Sequence, residues 1–322
     1  MRTLLLLILT VSLAMIGGAA MAVEEPKFEI RLRDGAFERI WIQPAAGDAG
    51  GALGAALAVH HLFLGQAREP DGASDAMQGS YLGPAFAQGE IENCLSALGA
   101  KFEVLDDGML LERCAADLAE GKALGWFQGR MEFGPRALGG RSILGDARSP
   151  TMQKILNLKV KYRESFRPFA PSVLRERAAD WFELTDDSPY MALVADVRAE
   201  RRRPMTPAEQ SLFGIDKLNV PRSDIPAVTH VDYSARIQTV HRETNPRYHA
   251  LLERFEHVTG CPVLVNTSFN VRGEPIVCTP EDGWRCFLNT GMDALAMGNC
   301  LLLNEEQEQK MADASSYTFG PD

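Results

Sequence analysis

Between Arg130 and Arg175 ten basic residues stand against three acidic ones, in a chain whose formal charge is -10. The cations are Arg130, Arg136, Arg141, Arg148, Lys154, Lys159, Lys161, Arg163, Arg167 and Arg175; the anions are Glu132, Asp146 and Glu164. Any fold built on this stretch must find partners for its cations, because like charges repel and an unpaired guanidinium is costly to bury. Gly134, Gly139, Gly140 and Gly145 fall in the same stretch, just after Gly125 and Gly129. Without Cβ atoms the backbone there can pass close to a ligand. The planar arginine fork matches phosphate or carboxylate, so the segment reads as a site for a small phosphorylated molecule. Nucleic acid is the competing anion, but a pI near 5.2 is not that of a domain-wide basic binder. A salt-bridged surface helix would need more carboxylates than the segment itself contains. The other basic run, Arg201-Arg202-Arg203, lies beside Glu200, Pro204 and Pro207 and reads as a solvated loop.

At 322 residues the chain is long enough for about two domains. Six cysteines, Cys94, Cys114, Cys261, Cys278, Cys286 and Cys300, form no CxxC pair and no metal spacing. They read as small buried residues of a reduced protein. The N-terminus points elsewhere. Met1-Arg2 precedes an almost wholly apolar run to Ala22, ending Ala20-Met21-Ala22 before Glu24-Glu25. That pattern fits a secretory signal peptide, with an uncleaved membrane anchor as the alternative.

Apolar runs and caps outline the rest. Glu38 to Pro44 reads as a strand, followed by a Gly-rich turn holding Asp48 and a helix over Leu53 to Leu64. Helical periodicity covers Ile91 to Leu98 and Met109 to Ala119; Phe102 to Leu105 and Ala123 to Gln128 read as strands. Ser149-Pro150, Asn245-Pro246 and Thr279-Pro280 each pair a capping residue with a first-turn proline, and Asp282 sits at the capping-box offset. Gly260 and Gly291 are placed to stop the second and third of these helices. Pro262 to Val265 and Ala294 to Leu303 read as apolar strands. Such alternation predicts an α/β or mixed α+β sheet domain.

Four clusters carry polar chemistry: Gly129 to Gly139 after a predicted strand, Lys159 to Phe169, Ser234 to Gln238, and Asn266 to Asn270. If extended, Lys161 and Arg163 share a side. Ser268 and Asn270 offer neutral hydrogen bonds. Cations, a hydroxyl and an amide converging at strand ends suit a nucleotide or acyl phosphate.

Lys161-Tyr162-Arg163 and Ser268-Phe269-Asn270 resemble the KxR and SxN signature of YrdC-like domains. The flanking GRMEFGPRALGGRSILGDARSP, FRPFAPSVL and PVLVNTSFNVRGEPIVCTPEDGWRCFLNTGMDALAMGN resemble the C-terminal domain of NodU/CmcH-type O-carbamoyltransferases. The resemblance runs from about Phe37 to Leu303. It implies a domain that takes carbamoyl phosphate and ATP with Mg²⁺ and makes carbamoyl-adenylate. Lys161, Arg163, Arg236, Ser268 and Asn270 match its phosphate-binding motif, with Lys161, Arg163 and Arg236 as the catalytic cations. Arg130, Arg136 and Arg141 are added on charge alone. The expected partners are carbamoyl phosphate, ATP and a hydroxylated acceptor of unspecified identity, not nucleic acid; RNA binding, as in other YrdC-like proteins, would need a more basic surface.

The resemblance also implies a metal-bearing, actin-like ATPase-superfamily domain that performs the transfer. Phe37 to Leu57 resembles only its last strand and helix. Asp48 matches a metal ligand, while the only histidines before residue 230 are His60 and His61. Iron or another transition metal belongs to the complete family and is not expected on Asp48 alone. The expected organisation is therefore 1–24 signal-like, 25–85 a remnant of the transferase domain, 86–305 YrdC-like and 306–322 a polar tail. A truncated or mis-started frame explains the junction, and a missing transferase half or a second copy is a possible partner. The alternative is a degenerate binder of nucleotide or partner without turnover. Because carbamoyl phosphate and ATP are cytosolic, the cytoplasm is favoured over export.

Overall fold

The computed structural model describes residues 42–69 and 76–308. Nine strands form one mixed sheet: β1 (Glu103–Val104), β2 (Leu124–Phe127), β3 (Arg141–Asp146), β4 (Ala170–Leu174), β5 (Leu193–Asp196), β6 (Ser234–Val240), β7 (Val263–Ser268), β8 (Ala294–Met297) and β9 (Cys300–Leu303). Their order is β1-β9-β8-β2-β3-β7-β4-β6-β5. β2 runs parallel to β8, and β4 to β6; the other neighbours are antiparallel. The mixed α/β class read from the sequence is the class observed.

The described helices are α1 (Asp48–Ala58), α2 (Gln88–Ala97), α3 (Asp107–Ala119), α4 (Met152–Ile155), α5 (Ala178–Trp181), α6 (Pro207–Gln210), α7 (Gly214–Leu218), α8 (Pro246–Thr259) and α9 (Pro280–Leu288). Asp106 caps α3 by accepting from Met109 N at 2.8 Å. The helix then buries Leu110, Leu111, Cys114, Ala115 and Leu118, the stripe expected of a helix laid on a core. It packs against α8, which buries Tyr248, Leu251, Leu252 and Phe255 on the same spacing. Asn245 caps α8, and Gly260, at φ +72°, ends it. Thr279 and Asp282 form the capping box of α9. All six cysteines are free thiols.

Several expectations are corrected. The helix expected from Ser149-Pro150 begins at Met152, with Thr151 at its N-cap position, and passes into a π-turn over Leu156–Val160. α9 is capped by Asn289 rather than stopped by Gly291. Ala294 to Leu303 is not one strand but the hairpin β8–β9, turned at Gly298 with φ +56°. The sheet extends far beyond the strands read from apolar runs. β3 is buried throughout although charged residues open and close it, and β4 and β6 are interrupted by proline, serine, arginine and glutamine.

The strand expected over Glu38 to Pro44 falls mainly outside the described residues, and its described end, Ile42 to Pro44, forms no strand. Ile42 packs against the main core. Ala45 lies against the basic loop so closely that a Cβ on Gly134 would stand 2.5 Å from the Ala45 Cβ. α1 runs on into a π-turn over Val59–Phe63, and neither piece buries a residue. Leu62 and Phe63 are 83% and 84% exposed. No helix among the described residues is long and apolar enough to cross a membrane; the apolar N-terminal run lies outside them.

Candidate functional site

One rim of the sheet gathers the motif residues. β7 ends at Ser268, opposite Ser142 near the start of β3, and Asn266 faces Ala170 at the start of β4. Ser172 is level with Gln238 of β6, so Arg236, two residues earlier, stands at the same end. The strand ends thus bring together segments that are remote in sequence.

Lys161 closes this rim. It follows the π-turn and is buried, and its Nζ donates to the Ser268 carbonyl, to Asn270 Oδ1 at 2.7 Å, to the Asn270 carbonyl at 2.9 Å and to Ser268 Oγ at 3.3 Å. Ser268 Oγ donates to Asn270 Oδ1 at 2.7 Å, and Asn270 Nδ2 donates to the Glu274 carbonyl at 2.6 Å. Burial pushes the Lys161 amine down to about 7, and the neighbouring Arg163 pushes the same way. The extended KxR geometry does not occur. Tyr162 has φ +47°, which breaks the two-residue alternation, and Arg163 turns to donate from Nε to Asn157 Oδ1 at 2.7 Å while lying over Phe169.

The glycine-rich basic segment forms a loop from Gly129 to Gly140 across the sheet face. Its organiser is Glu132, the residue that the sequence reading passed over. The buried carboxylate accepts from Leu138 N at 2.7 Å, Gly140 N at 2.6 Å and Arg141 N at 3.2 Å. The only available signal was a lone acid among arginines. From below, Gln238 Nε2 donates to the Leu138 carbonyl at 2.7 Å and Asn266 Nδ2 to the Ala137 carbonyl at 3.1 Å. Ser172 Oγ and Asn266 Nδ2 both donate to Gln238 Oε1, at 2.6 and 2.8 Å. Buried polar groups of this kind are stable only when paired, so the network fixes the loop's height over the sheet.

The loop carries Arg136 toward Arg236. Burial pushes the Arg236 guanidinium down to about 10, and Arg136 pushes it further the same way. Arg236 Nε is buried and meets no hydrogen-bond partner among the described residues. Two cations approaching each other, one with an unsatisfied donor, form the local arrangement that an anion would relieve.

The remaining candidates go elsewhere. Arg141, added to the candidates on charge alone, is enclosed by the protein. It is fully buried, its guanidinium donates to the carbonyls of Gln128, Gly129, Gly140 and Pro84, and it stacks 3.6 Å from the Phe127 ring centroid. Arg130 reaches the Leu82 carbonyl and lines a separate cleft of about 880 Å³ with Arg175, His241 and Arg247. Part of the charge excess is paired within the fold: Arg148 with Asp146 at 2.7 Å, and Arg175 with Asp187 at 2.8 Å. Asp48 is exposed in the first turn of α1. Among the described residues it belongs to no group of three possible metal ligands, so these residues do not fit a transition-metal centre there.

Beside Asn270 opens a pocket of about 390 Å³, walled by Tyr162, Val271, Ile276, Val277 and Cys286, with Glu274 and Asp282 as its acids. Burial pushes the Glu274 carboxyl up.

Comparison with known proteins identifies relatives of this chain. The relatives include an uncharacterised Synechocystis protein, 62% identical over 88% of this chain and 46% of its own length. The nodulation protein NolNO of Sinorhizobium fredii is 43% identical over 84% of this chain and 37% of its own, and NolO of Bradyrhizobium diazoefficiens is 41% identical over 84% and 46%. The chain thus spans less than half the length of these relatives. A crystal structure of full-length HypF in its phosphate- and nucleotide-bound form aligns over 63% of this chain and 22% of its own, at 17% identity and a TM-score of 0.40. Residues 8–57 match the family model for the carbamoyltransferase N-terminus. Residues 115–304, more than half of the chain and the span holding the loop, KxR and SxN, match the model for the carbamoyltransferase C-terminus, and on that match the chain belongs to the carbamoyltransferase family.

Proposed function

We propose that this chain binds carbamoyl phosphate and ATP at the sheet rim and forms carbamoyl-adenylate, the activated half of an O-carbamoylation reaction. The observation that carries the reading is the meeting of Lys161 with Ser268 and Asn270, beside a rim that also holds Arg236 and its neighbour Arg136. In this reading Lys161, Arg163 and Arg236 are the catalytic cations, Ser268 and Asn270 orient phosphate oxygens, and Arg136 closes over the anion from the loop. The pocket beside Asn270 receives the base of the nucleotide, and Mg²⁺ arrives with ATP. Residues 86–305 form the unit responsible.

The chemistry follows from the charges. Water cleaves carbamoyl phosphate to carbamate and inorganic phosphate. A carbamate oxygen then attacks the α-phosphorus of ATP, the bond to the β-phosphate oxygen breaks, and pyrophosphate leaves. Both leaving groups gather negative charge, which fixed cations and amide dipoles stabilise without reorganising. Lys161 sits near the protonation midpoint at neutral pH, so an incoming phosphate favours its charged form. Transfer from the adenylate to a hydroxyl acceptor is assigned no step on these residues, because Asp48 has no companion ligands among the described residues.

Two assays test the reading: pyrophosphate release that depends on carbamoyl phosphate, and carbamoylation of a panel of hydroxylated acceptors. The expected result is the first without the second. Folded protein that binds ATP but releases no pyrophosphate would reduce the chain to a binder without turnover.

A further inference from the structure

A second cluster lies at the opposite end of β4. Glu176 follows the C-terminal end of that strand, in a short 3₁₀ turn over Arg175–Arg177. His249 and Glu253 stand four residues apart on α8, hence on one helical face. The three side chains offer ligand atoms that all lie within 4.8 Å of one another. None of them belongs to the rim that holds Lys161 and Ser268.

The imidazole has a bonding problem. His249 is 2% exposed. Its Nε2 faces Glu176 Oε1 at 3.0 Å and Oε2 at 3.3 Å. A neutral imidazole has one N–H and one lone pair, so donating from Nε2 leaves a bare lone pair on Nδ1. That buried atom meets no hydrogen bond among the described residues, although Glu253 Oε2 lies 3.4 Å away. A lone pair and a carboxylate oxygen therefore face each other across a gap. Two metal–ligand bonds of about 2.05 Å set at about 110° span about 3.4 Å, the width of a tetrahedral edge. The far nitrogen donating to a carboxylate is the arrangement that orients metal-bound histidines.

We propose that His249 Nδ1 and Glu253 Oε2 bind one divalent cation of the zinc class, with Glu176 as the positioning residue that fixes the ring. Arg242 takes the other Glu253 oxygen, Oε1, at 2.5 Å, which leaves Oε2 directed at the site. A cavity of about 410 Å³ lined by Arg175, Glu176, Asp187, Arg242, Glu243 and His249 adjoins the imidazole. Mixed nitrogen and oxygen ligands suit zinc and its first-row neighbours rather than Ca²⁺ or Mg²⁺. The ion links two side chains of α8, whose ring is in turn held by Glu176 after β4, and takes no part in the chemistry at the rim.

The test uses the whole chain stripped with chelator, titrated with Zn²⁺ in a calorimeter and with Co²⁺ by visible absorption. One equivalent should bind, without a thiolate-to-cobalt charge-transfer band. Because His249 is buried, the variants are made at its partially accessible neighbours. Glu253→Gln should abolish binding, and Glu176→Gln should weaken it about 10- to 100-fold, the usual cost of losing an orienting carboxylate. Circular dichroism should show both variants folded. No stoichiometric binding, a thiolate band, or equal affinity in Glu253→Gln would overturn the proposal and leave the space between Nδ1 and Glu253 to a proton.

Discussion

Replacing Arg236 by alanine separates a binding residue from a structural one, because the two roles predict opposite signs. Its Nε is buried with no hydrogen-bond partner among the described residues, and Arg136 stands near enough to disfavour its charge. An unsatisfied buried donor costs about 1–3 kcal/mol. Removing it offsets the packing lost with the side-chain stem. The stability of Arg236→Ala should therefore be unchanged or raised by up to about 1 kcal/mol. Binding should move the other way. A hydrogen bond from a charged group is worth about 1.5–3 kcal/mol, so the affinity for carbamoyl phosphate should fall about 10- to 150-fold. Calorimetric titration gives the affinity, and urea unfolding in phosphate-free buffer gives the stability. Ligand at saturating concentration should stabilise the wild type and leave the variant nearly unmoved. Arg236→Lys, which keeps the charge but loses the fork, should fall between them. A variant that is several kcal/mol less stable yet binds within twofold of wild type would refute the argument, and Arg236 would then be scaffold.

Other consequences are as specific. Glu132→Gln loses the charged acceptor for three backbone N–H groups and should cost about 2–4 kcal/mol in urea unfolding; a change within the error of the measurement would mean that the loop holds itself. Lys161 titrates near 7 in the folded chain against 10.5 ordinarily, so between those values the unfolded chain holds a proton that the native one lacks. Wild-type stability should rise with pH across that window by up to about 1.4 kcal/mol per unit. Lys161→Met should lose this part of the slope, and a variant that retained it would assign the titration to another group. The pair Leu62→Ser and Phe63→Ser removes exposed apolar surface from a turn that buries nothing. Sedimentation should then show less self-association at unchanged stability, and identical sedimentation would mean that this surface makes no contacts in solution.

The sequence by itself determined the elements whose signals are local. Caps such as Asn245 with Gly260, and Thr279 with Asp282, act over a few residues of backbone, so α8 and α9 were legible before any contact was known. Apolar runs marked β2 and the start of β7 for the same reason. The KxR and SxN pairs were legible as text, and so was the excess of cations. Tertiary structure alone decided what each cation does, because burial and partnership are properties of neighbours that the chain brings from far away. Arg141 and Arg236 look alike in a charge count. One gives its guanidinium to four carbonyls, while the other stands beside a second cation, Arg136. β3, β4 and β6 escaped notice because strand pairing satisfies the polar backbone of sequences with little apolar pattern of their own. Glu132 escaped because an acid among arginines reads as a salt bridge until the loop folds back and turns its N–H groups onto the carboxylate. The positive φ at Tyr162 likewise follows Lys161, which is drawn under Ser268 and Asn270, a contact between segments more than a hundred residues apart.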